Sequence, residues 1–240
     1  MNPLELVNAA IASLMLAVAS YMDLKRREVD DWVWMLLSSL TLPLTLYLCL
    51  LRWDTQYPLI VAASVALSSL LALIFYKFEF YGGADAKAVI SLALALPASF
   101  YGNRFHPFYP ITTLLNGLLV SLSVPVSLLT YNLVVRPVLR GEPVFAGLEG
   151  LPLHKRIGAL FLGTRVDWPK TFWAKILLKN GERLSLSPPL ENYFPNPLSG
   201  TPERTWATPG IPLIIFIALG HALNVLYGDL LFPVVTLLSR

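Results

Sequence analysis

Six stretches of this chain are apolar for about as long as a helix needs to cross a lipid bilayer, and that limits its fold more than any other feature. A spanning helix takes about 20 apolar residues, with a range of about 17–25. The candidates are Leu4–Met22, Trp32–Leu51, Tyr57–Tyr76, Ala86–Phe100, Ile111–Val135 and Ile211–Tyr227. The fourth is short. An apolar tail, Leu230–Leu238, follows Gly228-Asp229 and suits the membrane interface. The runs are apolar on every face and do not alternate, so helices, whose backbone groups pair within the segment, are expected and a barrel is not. Hydrophobic residues make up 55% of the 240 and charged ones 14%. Soluble domains carry about 25% charged residues, so lipid must be part of this chain's solvent.

Topology follows from the basic residues. Of 18 Lys and Arg, fifteen fall on one side of the predicted spans and three (Arg52, Arg104 and Arg240) on the other. The positive-inside rule makes the richer side cytoplasmic and puts the N-terminus outside. Met1-Asn2-Pro3-Leu4-Glu5 has an acid where a secretion signal has its basic region, and the first apolar run is too long for a signal's core, so it is read as a retained helix. The net charge of +3 is spread between apolar runs and forms no nucleic-acid footprint. The single cysteine, Cys49, lies within an apolar run, where it makes neither an internal disulfide nor a thiolate metal cluster.

The expected fold is therefore an all-α membrane bundle of about six helices with a small β-containing cytoplasmic insertion before the last helix. Residues 1–135 would hold the first five spans, 136–208 the insertion, and 209–240 the last span and tail. The insertion holds much of the charge and many of the prolines. Asn180-Gly181 between strand-like runs predicts a hairpin, because both turn residues must take positive φ. Pro188, Pro189, Pro195, Pro197 and Pro202 predict an extended return to the membrane.

Two acids stand out by location. Asp23 ends the first span, within Ser20-Tyr21-Met22-Asp23-Leu24-Lys25, and Asp85 precedes the fourth, within Tyr81-Gly82-Gly83-Ala84-Asp85. The topology brings both to the cytoplasmic face. Acids at membrane depth are costly and tend to be functional. Two carboxyls that share a site cannot both ionise easily, so one keeps a proton near neutral pH. The ionised partner can then deprotonate a water attacking a peptide carbonyl, while the protonated one polarises that carbonyl. Gly82 and Gly83 would allow positive φ and close approach of an extended substrate backbone. The spacing alone leaves plainer readings open. Asp85 suits the N-cap of the fourth helix, and Asp23 suits an interfacial acid paired with Lys25, Arg26 or Arg27.

At these segments the chain resembles the type IV prepilin peptidase family of membrane aspartic peptidases, and most closely its archaeal preflagellin and prepilin peptidase branch. That family sets one aspartate at the cytoplasmic end of its first helix and a second in a GxGD motif before its fourth. Here the motif reads Gly82-Gly83-Ala84-Asp85, similar to an archaeal variant, with Ala84 in place of the second motif glycine. The stretch Glu28–Trp34 resembles the family's entry to the second helix, and Thr208-Pro209-Gly210-Ile211-Pro212 resembles the archaeal branch's entry to the last one. The resemblance implies an endopeptidase with Asp23 and Asp85 catalytic and Gly82, Gly83 and Ala84 forming the active-site loop. Its substrates would be preflagellin or prepilin precursors, cut at the cytoplasmic face after a basic class III signal peptide. It also implies no cofactor and no metal. Glu79, Asp30 and Asp31 are candidates for attracting the basic segment, and plain solvated acids are the competing reading. With one cysteine the chain lacks the Cys-x-x-Cys pair of many bacterial members, so peptidase activity without N-methylation is expected.

Other polar residues invite weaker roles. His221 and Asn224 in the last span suit interhelical hydrogen bonding, Lys87 suits snorkelling or charge neutralisation beside Asp85, and Tyr21 suits an aromatic belt or a hydrogen bond near the site. The alternative enzyme, similar to presenilin or signal peptide peptidase, would carry a Pro-Ala-Leu motif, which is absent from this sequence. A transporter would place ionisable residues deep in several spans. The middles of the first five contain no Asp, Glu, Lys or Arg.

Overall fold

The structure, a computed structural model, describes residues 2–53, 56–78, 80–166, 174–176, 178–179, 183–184, 205–210 and 212–238. The chain forms two compact units, Met1–Ser121 with Pro212–Arg240, and Leu122–Ile211.

In the first unit, α1 (Pro3–Arg26) starts from a capping box. The Asn2 side chain accepts from the Leu4 amide at 3.2 Å, and Glu5 accepts from the Asn2 amide at 2.9 Å. These bonds satisfy donors that a helix start otherwise leaves unpaired. Lys25 and Arg26 in the last turn favour the negative end of the helix dipole. Arg27 closes the helix in the left-handed conformation, φ 58°, with its amide on the Asp23 carbonyl at 2.9 Å. Then follow α2 (Asp31–Leu51), α3 (Tyr57–Lys77), α4 (Gly83–Ala95) and α5 (Tyr109–Ser121). After the second unit come α9 (Leu213–Leu226) and α10 (Leu231–Leu238).

Helices α1, α2, α4 and α9 share one core, built from Ala9, Ala12, Leu16, Ala19, Leu37, Ala88, Leu92, Ile214 and Ile217. The alanines let the helices approach closely, while leucines such as Leu14, Leu59 and Leu70 point outward and are exposed. An outward apolar surface of this kind is a lipid-facing surface. Helices α5 and α9 approach closely where Gly117 and Gly220 meet: a Cβ on Gly220 would overlap the Thr113 carbonyl and come within 2.5 Å of the Gly117 amide.

Among the described residues, four helical runs are long and apolar enough to cross a membrane: Pro3–Arg26, Asp31–Leu51, Tyr57–Lys77 and Tyr109–Arg140. The last is 32 residues long, longer than the expected Ile111–Val135. The fourth and sixth expected spans are helices of 13 and 14 residues. Helix α4 stops at Ala95 rather than Phe100. Leu96, the residue before Pro97, has φ −138°, as expected where the proline ring excludes the helical conformation of its predecessor. Helix α9 begins after Pro212, which serves as its N-cap. Thr208 and Pro209 therefore close a strand and do not open the last helix.

Among its described residues the second unit contains α6 (Ser123–Thr130), a π-helical turn over Tyr131–Val135, α7 (Arg136–Arg140), α8 (Leu153–Leu162) and five short strands. Strands β1 (Thr164–Val166), β5 (Thr205–Pro209) and β2 (Ala174–Ile176) form an antiparallel sheet with β5 central. Strands β3 (Leu178–Lys179) and β4 (Arg183–Leu184) pair antiparallel, with Lys179 opposite Arg183. The turn predicted at Asn180-Gly181 lies outside the described residues. Trp206 packs with Leu148, Leu151, Ala159 and Leu160 and donates to the Ala146 carbonyl at 2.9 Å. Beside it the buried Arg136 lies 4.8 Å from the indole centroid and donates to the Pro143 and Val144 carbonyls.

Candidate active site

Asp23 lies in the last turn of α1 and Asp85 in the first turn of α4. These helix ends belong to one end of the first unit. The turn 27–30 joins α1 to α2, and Asp31 at the start of α2 meets Lys87 of α4, Oδ1 to Nζ, at 2.5 Å. Asp85 is the third helical residue, not the N-cap. Gly82 holds the cap position, and its amide donates to Asp85 Oδ2 at 3.0 Å. That bond is the half of a capping box that the acid supplies.

Asp85 precedes the apolar run of its helix and is partly buried. Burial lifts its carboxyl to about 6 from the ordinary value of 3.8, the Gly82 hydrogen bond works against the rise, and the negative charge of Asp23 adds to it. The two acids are thus near enough for the charge of one to act on the proton of the other.

The loop before Asp85 is held by aromatic contacts. Phe75 meets Phe80 and Tyr81 edge to face, with centroids 5.6 and 5.7 Å apart. Tyr81 donates to the Ala72 carbonyl at 3.2 Å, and burial together with the Asp85 charge pushes its phenol up to about 12. Sequence reasoning assigned Tyr81 no role, although an aromatic immediately before a glycine pair was the available signal.

Of the two properties expected of the glycines, positive φ is not used. Gly82 has φ −76°, and neither it nor Gly83 adopts positive φ. A Cβ on Gly82 would stand 3.5 Å from Asp85 Oδ2, and one on Gly83 would stand 3.6 Å from the Tyr76 ring. The fold would accept both, so the backbone conformation does not call for glycine. What the hydrogen at Gly82 leaves open is the approach to the carboxylate. Ala84 lies beside them in the first turn of α4.

Of the candidate charge-recognition residues, Asp30 pairs with Arg26 at 3.1 Å and Asp31 with Lys87, all four side chains being largely solvated. Glu79 lies outside the described residues. Tyr21 is exposed beneath Lys25, 5.7 Å from its ring centroid, and faces away from the core. His221 and Asn224 join helices deep in the unit. His221 bridges Tyr109 Oη at 2.9 Å and Ser13 Oγ at 3.0 Å, while Asn224 donates to the Tyr109 carbonyl and Thr113 Oγ1. Ser13 precedes Asp23 by ten residues, about 15 Å along a helix, so this network serves packing.

Known proteins resemble this chain over much of its length. The profile of the type IV leader peptidase family matches residues 10–126, a range that holds both acids. A preflagellin peptidase of Methanocaldococcus jannaschii is 25% identical over 240 residues, covering 93% of this chain and 95% of its own. The preflagellin peptidase of Methanococcus voltae is 24% identical over 244 residues, covering 94% and 97%. That of Methanococcus maripaludis is 22% identical over 235 residues, covering 93% and 96%. Fold and similarity together define a multi-pass membrane peptidase of the aspartic type. Over residues 10–126 the chain is similar to the type IV leader peptidase family, and over more than nine-tenths of its length to archaeal preflagellin peptidases.

Proposed function

We propose that Asp23 and Asp85 are the catalytic pair and that they cut class III signal peptides from preflagellin or prepilin-type precursors at the cytoplasmic membrane face. The N-terminus lies outside in this reading, and the short helices α4 and α9 cross the bilayer as the fourth and sixth spans. The observation that carries the proposal is placement: Asp23 ends α1 and Asp85 opens α4, with the Asp85 carboxyl fastened to the Gly82 amide and raised toward neutrality mainly by burial, the charge of Asp23 adding to it.

Asp85 then supplies the acid and Asp23 the base. Water adds to the scissile carbonyl carbon as its proton passes to Asp23, and the Asp85 proton passes to the carbonyl oxygen. The tetrahedral diol collapses when the C–N bond breaks. The nitrogen takes the proton from Asp23, and Asp85 recovers its proton from a diol hydroxyl. Both groups end as they began.

Cleavage of a preflagellin-type precursor in membranes, comparing the wild type with Asp23→Asn and Asp85→Asn, tests the assignment. Each substitution alone abolishes cleavage and leaves folding intact. Full activity in either variant removes that residue from the mechanism.

A further inference from the structure

We propose that Trp34 is a substrate-binding residue of this site, its indole N–H donating to a backbone carbonyl of the peptide segment held beside Asp85; this rests on the peptidase reading given above. Trp34 is 4% exposed and lies within the core shared by α1, α2 and α4, yet its Nε1 has no hydrogen-bond partner. A buried N–H left unpaired costs about 1–3 kcal/mol, and buried Trp N–H groups usually find a partner. The other buried tryptophan of the described chain, Trp206, has one in the Ala146 carbonyl.

Helix geometry carries this donor to the acid. Thr45 Oγ1 of α2 donates to the Ala95 carbonyl of α4 at 3.0 Å, and Asp31 meets Lys87 near the other end, so the two helices run in the same direction. Trp34 precedes Thr45 by eleven residues and Asp85 precedes Ala95 by ten. At about 1.5 Å per residue, both lie about 15–17 Å from the shared Thr45–Ala95 level. Eleven residues are close to three full turns, so Trp34 shares the α4-facing side of α2 with Thr45. On α4, Asp85 shares a stripe with Ala88, Leu92 and Ala95, all buried. Ala88, one turn beyond Asp85, leaves room opposite for an indole. Side chains lean toward the N-terminus of their helix, which on α2 is the end where the aspartates lie. A second buried orphan, the Ser20 hydroxyl, sits on α1 one turn from Asp23. Unpaired polar atoms therefore lie on α1 and on α2 near the level of the aspartates, as expected where an extended peptide must find partners for its own backbone.

Trp34→Phe keeps an aromatic ring and removes the N–H. The test measures cleavage of a preflagellin-type precursor peptide by full-length wild type, Trp34→Phe and Asp85→Asn in the same membranes, with thermal unfolding of each. The expected result is a roughly 10-fold loss of kcat/KM in Trp34→Phe, an unfolding midpoint near that of the wild type, and no cleavage by Asp85→Asn. In parallel, the Trp34 indole resonance of 15N-tryptophan-labelled Asp85→Asn protein, assigned by elimination from single Phe replacements of Trp32, Trp53, Trp168, Trp173 and Trp206, moves downfield when the uncut peptide is added. That readout stands even if Trp34→Phe misfolds. An unmoved indole resonance in protein saturated with peptide, or wild-type kcat/KM in folded Trp34→Phe, overturns the role of Trp34 and leaves the peptidase reading intact. Failure of the wild type to cleave any such precursor overturns the peptidase reading itself.

Discussion

Gly117 of α5 and Gly220 of α9 bring their helices together backbone against backbone, with no space for a methyl group at either position. A Cβ on Gly117 would stand 2.5 Å from the Phe216 carbonyl oxygen, and one on Gly220 would stand 2.5 Å from the Gly117 amide. Contacts of this kind replace the hydrophobic effect, which does not drive association between helices already in lipid. Gly220→Ala should therefore lower stability by about 1–3 kcal/mol, read as a fall in the unfolding midpoint in detergent. Gly158, within α8, has open space around its Cβ position, so Gly158→Ala should be neutral or stabilising by about 0.5–1 kcal/mol. Equal effects from the two substitutions would remove the close approach as the cause.

The raised carboxyl of Asp85 sets a direction for the pH profile. Its value in the fold is about 6 against an ordinary 3.8. Protonated Asp85 is the acid in the proposed mechanism, so kcat/KM should fall as pH rises through about 6. Stability follows the same sign. The contribution is fully present below about 3.8 and is lost as pH rises through about 6. Asp85→Asn should flatten this part of the stability profile, measured as unfolding midpoint between pH 4 and pH 7. An unchanged slope in that variant would assign the dependence to another group.

Gly82→Ala separates the fold's need for glycine from the site's. Its φ of −76° and an ordinary 3.5 Å spacing from the new Cβ to Asp85 Oδ2 leave stability within about 0.5 kcal/mol of wild type. The same methyl group stands over the carboxylate, so cleavage should drop by about 10-fold or more, because small misplacements at a reacting centre are costly. Unchanged cleavage would show that substrate reaches Asp85 from another side.

The ion pair between Asp31 and Lys87 bears on substrate charge. It is solvated, so Lys87→Ala should change stability by less than about 1 kcal/mol. If Asp30 and Asp31 attract a basic leader, replacing both with lysine should raise KM several-fold at low salt with kcat little changed, and added salt should shrink the difference. Identical KM values would leave these acids as solvated interface residues.

Much of the proposed site was legible because its signals are local. An acid at the end of an apolar run, and another after a glycine pair before the next such run, place Asp23 and Asp85 without any knowledge of packing. Trp34 offered no such signal. An indole inside an apolar run looks like any other core residue until every neighbouring acceptor is accounted for, and those acceptors come from other helices. At Gly82 the expected positive φ is not adopted, while the expected close approach to Asp85 stays open: the freedom of glycine in φ is a local property, whereas the clearance above the Asp85 carboxylate belongs to the folded turn.

Apolar run length and the scarcity of charge determined, from the sequence alone, that this chain lives in a bilayer as helices, because hydropathy and backbone satisfaction act residue by residue along the chain. Tertiary structure alone decided which buried polar groups meet. It joined Ser13, Tyr109 and His221 across three helices, tied Asn8 to the Ala95 carbonyl, and set Asp31 on Lys87. Those partners lie from 56 to 208 positions apart in the chain. No local pattern encodes such pairings, which arise when helices cross at distances set by glycine and alanine and each buried donor takes the acceptor it then faces.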